Sequence, residues 1–387
     1  MTTDRGDRWA WVDVDLDAVS HNVGHLRSVV APSEVWAVVK ADGYGHGAVD
    51  VARAAIRGGA AGLCVALSQE GVELRQAGIE APILVLSEQP VAASNTIAES
   101  RLTPTVYTAE YVEALAHAAR AAGVADLPVH LKVDTGMQRV GAAPADVPGL
   151  VESITDRRSP LRLEGIFTHL AMADQPDDPF NAIQVQRFDD VLTALGDSVP
   201  ELVHVANSAG ALAVPPARRS LVRAGIAVYG ISPGHGVDDR CGALRPAMTL
   251  RARVSFVKPV AAGSRISYGL RHTFVRDTVV ATVPIGYADG VPRRLSAVGG
   301  HVLVGGRRCP IVGVVTMDQL MVDCGPDAVV ARGDEVVLIG AQDGPRGPQR
   351  IRAEDWADAL DTIGYEIVCG IGPRVARRTP RSIGTEW

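Results

Sequence analysis

Val35-Trp36-Ala37-Val38-Val39-Lys40-Ala41-Asp42-Gly43-Tyr44-Gly45-His46-Gly47-Ala48 is the stretch on which the reading of this chain turns. Five consecutive apolar residues, three of them valine, describe a short strand covered on both faces. Lys40 stands where the strand stops. Gly43, Gly45 and Gly47 follow, with Tyr44 and His46 between them. Such a turn lets the backbone approach something closely and presents side chains from a fixed platform. A lysine at the end of a buried strand is partly desolvated, which favours an amine able to form a Schiff base. By itself the stretch is also open to a plainer reading, a solvated lysine at the start of a flexible loop.

Outward from this stretch the same unit repeats. Short apolar runs at about 35–40, 62–67, 82–86, 102–106, 129–134, 163–169, 202–206 and 222–228 alternate with helix-like segments such as Ala48–Arg57, Gln69–Gln76, Ala109–Ala122 and Phe180–Leu195. Strands separated by helices pair in parallel through crossovers, and eight of them close into a (β/α)8 barrel. Upstream, Trp9 to Leu16 alternates like a strand, and Asp17 reads as the N-cap of a helix through Val30. The expected division is an N-terminal tail with the start of the first strand (1–12), an α/β barrel (13–246), a mainly β domain (247–376) and a C-terminal tail (377–387). In the second domain, Val254–Val257, Thr278–Val283, His301–Val304, Ile311–Val315, Leu320–Val322 and Glu335–Ile339 read as strands between Gly, Pro and Asp turns. One helix signal remains there, at Ala353–Leu360.

A barrel gathers functional side chains where its strands end. Lys40 ends the first strand. Val129 to Gly136 ends in polar groups, with Lys132 inside it and Arg139 just beyond; Gly165 to His169 ends in a histidine; Leu202 to Ser208 ends in Asn207 and Ser208. Arg223 lies inside the apolar run Leu221 to Ile226, a costly place for a charge without a partner.

Composition narrows the classes further. The 387 residues are 47% hydrophobic and 21% charged with a net charge of −6, an ordinary globular mixture without the basic runs that bind nucleic acid. Nothing reads as a signal peptide or membrane span, so a cytoplasmic protein is expected. Five cysteines, an odd number without a C-x-x-C pair, fit reduced thiols better than disulfides or a metal site, and no metal is expected.

Several of these stretches resemble a known family. Lys40-Ala-Asp-Gly-Tyr-Gly-His-Gly47 resembles the pyridoxal-phosphate lysine motif of alanine racemases. Lys132-Val-Asp-Thr-Gly-Met-Gln-Arg139, Ala206-Asn207-Ser208, Arg223 to Gly230, Ser267-Tyr268-Gly269, Gly286 to Gly290, Met317-Asp318-Gln319 and Tyr365-Glu366 are similar to that family in order and spacing, from about Val12 to Arg374. The resemblance implies a pyridoxal 5'-phosphate enzyme, an isomerase interconverting L- and D-alanine and supplying D-alanine for peptidoglycan. It implies Lys40 as the cofactor lysine. Tyr44, Asn207, Ser208, Gly225, Ile226 and Tyr365 would hold the cofactor, most of them at its phosphate. Arg223 would face its pyridine nitrogen, with His169 orienting Arg223 and Arg139 neutralising the phenolate.

Racemisation needs a base on each face of the α-carbon. The resemblance implies Lys40 for one and Tyr268 for the other. Tyr268 would come from the partner subunit of a head-to-tail homodimer with shared sites, accompanied by Tyr287, Met317 and Asp318 around the substrate and Arg293 at the mouth. Lys132 matches a lysine that is often carbamylated in the family. Gln138 and Thr316 depart from the family's usual residues and bear on substrate breadth. Three rival readings differ from this one in identifiable ways. A non-catalytic carrier of the same cofactor would lack the β domain. A basic amino-acid decarboxylase would place an acid where Arg223 stands. A racemase preferring serine or another amino acid differs only in pocket volume.

Overall fold

The computed structural model describes residues 8–380. Ala10–Val14 forms β1, and β2 to β9 follow as Glu34–Val38, Gly62–Val65, Ile83–Val85, Thr103–Val106, Leu127–Lys132, Leu161–Phe167, Leu202–His204 and Leu221–Ala224. These eight strands, β2 to β9, pair in parallel and in chain order, and β9 returns to β2 with Arg223 opposite Trp36. The expected (β/α)8 barrel is therefore present. Its strands are apolar runs because both faces are covered: Val35, Trp36, Ala37 and Val38 are all buried.

The outer helices are amphipathic for the same reason. In Ala48–Arg57 the buried residues are Ala48, Val51, Ala52, Ala54 and Ala55, a single stripe at helical spacing. Helix ends carry their own signals. Thr108 accepts from the Tyr111 amide to cap Ala109–Ala121, and Asp178 accepts from Phe180 to cap Pro179–Leu195. The apolar run expected to continue from 222 to 228 stops at Ala224 instead. Gly225 breaks the strand, and Ile226–Tyr229 winds as a 3-10 turn.

Two compact units result, one of Asp17–Arg245 and one of residues up to Leu16 with those from Pro246 onward. The second is mainly β. It adds β10 to β20 at Met248–Arg253, Phe256–Val260, Arg265–Ile266, His272–Thr273, Thr278–Val283, His301–Val304, Arg307–Val312, Leu320–Gly325, Glu335–Gln342, Gln349–Ile351 and Ala376–Arg378. All except the β12–β13 ribbon join one sheet, with β19 paired to β18 off its main path. β1 lies in this sheet between β10 and β20, with Val12 opposite Leu250. The strand read upstream of the barrel is thus an internal strand of the β unit's sheet, and Ala376–Arg378, at the start of the expected tail, is its edge strand. The chain leaves β1 for the barrel and returns only at β10, a long-range pairing that local pattern does not reveal. A second helix, Gly364–Cys369, follows Ala353–Leu360 and was not expected; six residues beginning with glycine carry little periodic signal. Among the described residues no helix is long and apolar enough to cross a membrane.

Candidate active site

The carboxyl ends of the barrel strands bring the expected polar groups together around one buried cation. Arg223 is 3% exposed. Its Nη1 donates to His204 Nδ1 at 2.7 Å, and its Nη2 donates to the carbonyls of Thr168 and Val205 and to His169 Nδ1 at 3.1 Å. The face of Phe167 lies 4.9 Å from the guanidinium carbon and also carries Lys132 Nζ at 5.6 Å. Burial brings the Arg223 guanidinium down to about 10, which still leaves it charged near neutral pH. Burial beside this cation holds His169 and His204 well below the ordinary histidine value, so both imidazoles are neutral acceptors.

Lys132 is buried, and burial together with Arg223 and Arg139 lowers its amine to about 8. Lys40 acts electrostatically on both Lys132 and His169, which places its amine at the same barrel end. Arg139 stands on an exposed loop that Asp134 holds by accepting from the Gly136 and Gln138 amides at 2.8 and 3.1 Å. Gln184, from the helix Pro179–Leu195, donates to the His169 carbonyl at 3.0 Å and so fixes the backbone of that histidine.

The turn after Lys40 is more unusual than three glycines imply. Ala41, Asp42, Gly43 and Tyr44 all have φ between 52° and 60°, one continuous left-handed turn in which only one residue is glycine. Each non-glycine residue there costs on the order of 1 kcal/mol, so the surroundings must hold the conformation. Two carboxylates do so. Glu70 accepts from the Ala41 amide at 2.6 Å with one oxygen and from the Ala66 and Leu67 amides with the other. Asp42 accepts from Ala48 at 2.9 Å, at the start of the next helix. The turn carries Tyr44 inward, its ring 4.9 Å from that of Tyr229, whose hydroxyl donates to the Val38 carbonyl.

Ser208 and Gly225 meet Tyr44 at this place. Asn207 caps the short helix Ser208–Ala213 by accepting from Gly210, which frees Ser208 for another task. The Ser208 hydroxyl accepts from the amides of Gly225 at 2.8 Å and Ala227 at 3.3 Å. A side chain at 225 would have its Cβ 2.5 Å from the Tyr44 hydroxyl, so only glycine allows that approach. The Tyr44 and Ser208 hydroxyls thus gather at the first turn of Ile226–Tyr229, donors of the kind an oxyanion requires.

The β unit carries a separate group. Tyr268 stands at the tip of the β12–β13 ribbon, 77% exposed. Its neighbours Ser267 and Leu270 have φ of 67° and 46°, and Ser267 is clamped to Val314 in both directions. Tyr268, Tyr287, Arg293, Met317 and Asp318 line a cavity of about 460 Å³. The Tyr287 amide donates to the Thr316 carbonyl and the Ala288 amide to Met317, both at 3.0 Å. Buried Asp289 ties this corner by accepting from Gly286 and pairing with Arg8 and Arg374, while Arg374 also reaches Asp318 at 2.7 Å. The Met317 amide makes no hydrogen bond among the described residues. Tyr365 lies half-buried in the helix Gly364–Cys369 of this same unit.

Known proteins share both units. Residues 14–233 match the model of the alanine racemase N-terminal domain, and residues 247–379 match that of the C-terminal domain. The chain belongs to the alanine racemase family. The alanine racemase of Symbiobacterium thermophilum is 46% identical over 98% of both chains, and that of Thermobifida fusca 44% identical over 94% of this chain and 96% of its own. Among solved structures, the alanine racemase of Enterococcus faecalis (E. faecalis) superposes with a TM-score of 0.90 at 38% identity, covering 98% of this chain and 100% of that one. The Bacillus anthracis enzyme, solved with bound L-Ala-P, gives 0.89 at 39% identity, covering 97% and 96%.

The function is that of an alanine racemase, an isomerase acting on alanine, in a family that generally depends on pyridoxal phosphate. Against this family background, sequence reasoning passed over His130, His204, Glu164 and Glu70. The two histidines did carry a signal, each being a polar residue between apolar neighbours within a buried strand: Val129-His130-Leu131 and Val203-His204-Val205. Glu70 reads locally only as a capping residue of its own helix, on the Ala66 and Leu67 amides; its bond to the distant Ala41 amide is announced by no residue type.

Proposed function

We propose that this alanine racemase works with pyridoxal 5'-phosphate held at Lys40, and that its two bases are Lys40 and the partner subunit's Tyr268 in a head-to-tail homodimer. The observation that carries the reading is Arg223: a buried, charged guanidinium among neutral imidazoles, at the barrel end that also holds Lys40, with no carboxylate ion-paired to it among the described residues.

The donor set fits the cofactor. Ser208, Tyr44, Gly225 and Ile226 would receive its phosphate end, with Tyr365 completing it; Asn207 would lie against the cofactor beside them, and Arg139 would face its phenolate. When bound, pyridoxal phosphate supplies an electron sink for the charge left when the α-proton of the amino acid departs. Arg223 would lie at the ring nitrogen, and since arginine does not release its proton it keeps that sink weak. A weak sink suits racemisation, because the proton must return to the carbon it left. His169, neutral and accepting from Arg223, orients it. Lys40 would take or give a proton on one face and Tyr268 on the other.

Met317 would donate its amide to the substrate carboxylate, Asp318 and Tyr287 would shape the space around a small amino acid, and Arg293 would stand at the mouth. Lys132, with an amine near 8, is about one-tenth unprotonated at pH 7, the form that adds carbon dioxide to make a carbamate. Such a carbamate would neutralise Arg139. The enzyme would supply D-alanine for peptidoglycan in the cytoplasm. A bound L-Ala-P in the Bacillus anthracis relative supports an alanine-sized site.

The purified protein is expected to be yellow, to racemise alanine faster than serine, lysine or glutamate, and after borohydride reduction to carry the pyridoxyl group on Lys40. A label on another lysine would overturn the assignment.

A further inference from the structure

Arg223 presents an electrostatic problem. Taking a guanidinium out of water is costly without an anion, and no carboxylate pairs with it among the described residues. The nearby Cys64 thiol offers none, since burial pushes it up to about 12 and keeps it neutral. A hydrogen-bonded chain through the barrel interior supplies one. His204 Nδ1 accepts from Arg223 at 2.7 Å, His204 Nε2 lies 2.9 Å from His130 Nδ1, and His130 Nε2 lies 3.2 Å from a Glu164 oxygen.

Chemistry fixes the direction of this chain. Arginine only donates, so His204 Nδ1 must be bare. Burial holds both imidazoles below the ordinary histidine value, hence neutral, and each carries one proton. His204 therefore keeps its proton on Nε2 and donates to His130 Nδ1. His130 in turn keeps its proton on Nε2 and donates to Glu164. Hydrogen bonds to His130 and Arg162 hold the Glu164 carboxyl below the usual carboxylate range, so the acceptor is an anion. Every link is polarised the same way, from a cation at the carboxyl end of the barrel to an anion nearer its other end.

The barrel is shaped around these rings. Phe167 stacks on His204 at 4.5 Å and 9°, and Trp36 lies 5.8 Å from His130. A Cβ at Gly165 would sit 2.7 Å from the His130 ring, so that position leaves room for the imidazole. His130 and His204 are fully buried, whereas the Glu164 side chain is 22% exposed and shares its other oxygen with Arg162 at 3.1 Å. Arg162 also pairs with Asp126.

We propose that Glu164 is the remote counter-ion of Arg223, and that Glu164 and His130 are positioning residues that lock His204 as an acceptor and so hold the guanidinium in place. Its catalytic consequence rests on the reading of Arg223 given above; the chain itself does not.

The test is histidine nitrogen NMR on the holoenzyme, with signals assigned by single replacements, alongside steady-state kinetics. The parent should show His130 and His204 both protonated on Nε2. Glu164→Gln keeps an acceptor but removes the charge; the tautomers should persist while kcat falls roughly tenfold at little-changed KM, the scale of one unit charge in a moderately polar interior. Glu164→Leu removes the acceptor, and both histidines should become tautomer mixtures. Arg162→Gln, which leaves Glu164 to His130 alone, should preserve the tautomers and not lower kcat. An Nδ1 proton on either histidine in the parent overturns the proposal. So does a His204 signal unchanged in Glu164→Leu, or a kcat unchanged in Glu164→Gln. The tautomers are read without turnover, so a failed racemase reading shows separately, as no activity in a parent whose tautomer pattern is intact.

Discussion

The two units hold their expected chemistry in opposite ways. In the barrel, Arg223, His169 and His204 are buried and hydrogen-bonded to one another, and Lys132 and Arg223 both lie over the Phe167 ring. In the β unit, Tyr268, Met317 and Tyr287 are 77%, 53% and 41% exposed, and what fixes them is backbone: a ribbon tip with two left-handed non-glycine residues, and a corner tied by Asp289. Buried groups are made precise by partners, exposed ones by turns. Holding a large aromatic side chain in solvent on a strained turn costs on the order of 1–3 kcal/mol per strained residue and gives a lone subunit nothing in return. Exposed apolar groups clustered around a cavity are the mark of a surface that meets something. Under the proposed head-to-tail homodimer, this exposed β surface is the part that would meet a second copy.

The largest effect should come from the exposed side. Tyr268→Phe removes one hydroxyl from a largely exposed position, so folding and cofactor binding should be unchanged while racemisation falls by roughly 10²–10⁴-fold, the range for loss of a general acid–base group. The hydrogen introduced from solvent should also become unequal between the two directions. A tyrosine exposed merely by packing would tolerate the change, and full activity would break the comparison.

Arg223→Glu probes the buried side. It places an acid where the guanidinium stands, beside His169 and His204. Cofactor retention with a roughly 10²-fold slower racemisation and more loss of the amino group as a by-product is expected. Parental rate and by-product level would show that charge at 223 is irrelevant.

Glu70→Ala is smaller. It leaves three backbone amides without their shared acceptor and releases the left-handed turn after Lys40. Stability should drop by about 1–3 kcal/mol and kcat by roughly tenfold, because Lys40 is displaced rather than removed. Ala41→Gly, which accepts φ near 52° without strain, should recover part of the loss in the double variant. No coupling between the two changes would mean that Glu70 does not hold this turn.

The pH dependence is gentler still. His130, His169 and His204 are buried neutral, with folded values below the ordinary 6.5. The unfolded chain therefore binds more protons between 6.5 and those lower values. Their contribution is fully present above about pH 6.5 and is lost as pH falls through that window. A melting temperature that is level above pH 6.5 and declines below it is expected, with a shallower decline in His204→Gln. Equal slopes would remove His204 from the cause.

Much of this was readable in the chain, for identifiable reasons. Barrel strands are apolar throughout because both faces are covered, so eight of them stand out, and the β domain's turns are marked by Gly, Pro and Asp. Lys40 and Arg223 were visible as charges at or inside apolar runs. What stayed hidden depends on three-dimensional partnership. The left-handed turn runs through Ala41, Asp42 and Tyr44, residues that do not announce positive φ. Glu70 ties two amides of its own helix start to that of Ala41, which lies far back along the chain. His130 and His204 read as strand residues; only the fold brings His130 Nδ1 within 2.9 Å of His204 Nε2, from β6 and β8. Ala10–Val14 read as a strand but not as a partner of β10, more than 200 residues away. Exposure of Tyr268 is a property of the folded surface that no local pattern encodes.

One measurement tests the division of labour between the two units directly. Lys40→Ala and Tyr268→Phe are co-expressed with different tags and the mixed dimer is isolated. If each site takes Lys40 from one subunit and Tyr268 from the other, one site of that dimer carries both lesions and the other carries none. About half the parental activity per dimer should return, although each homodimer is nearly inactive. Were both bases drawn from a single chain, every site would carry one lesion. A mixed dimer no more active than the two homodimers would contradict the shared site.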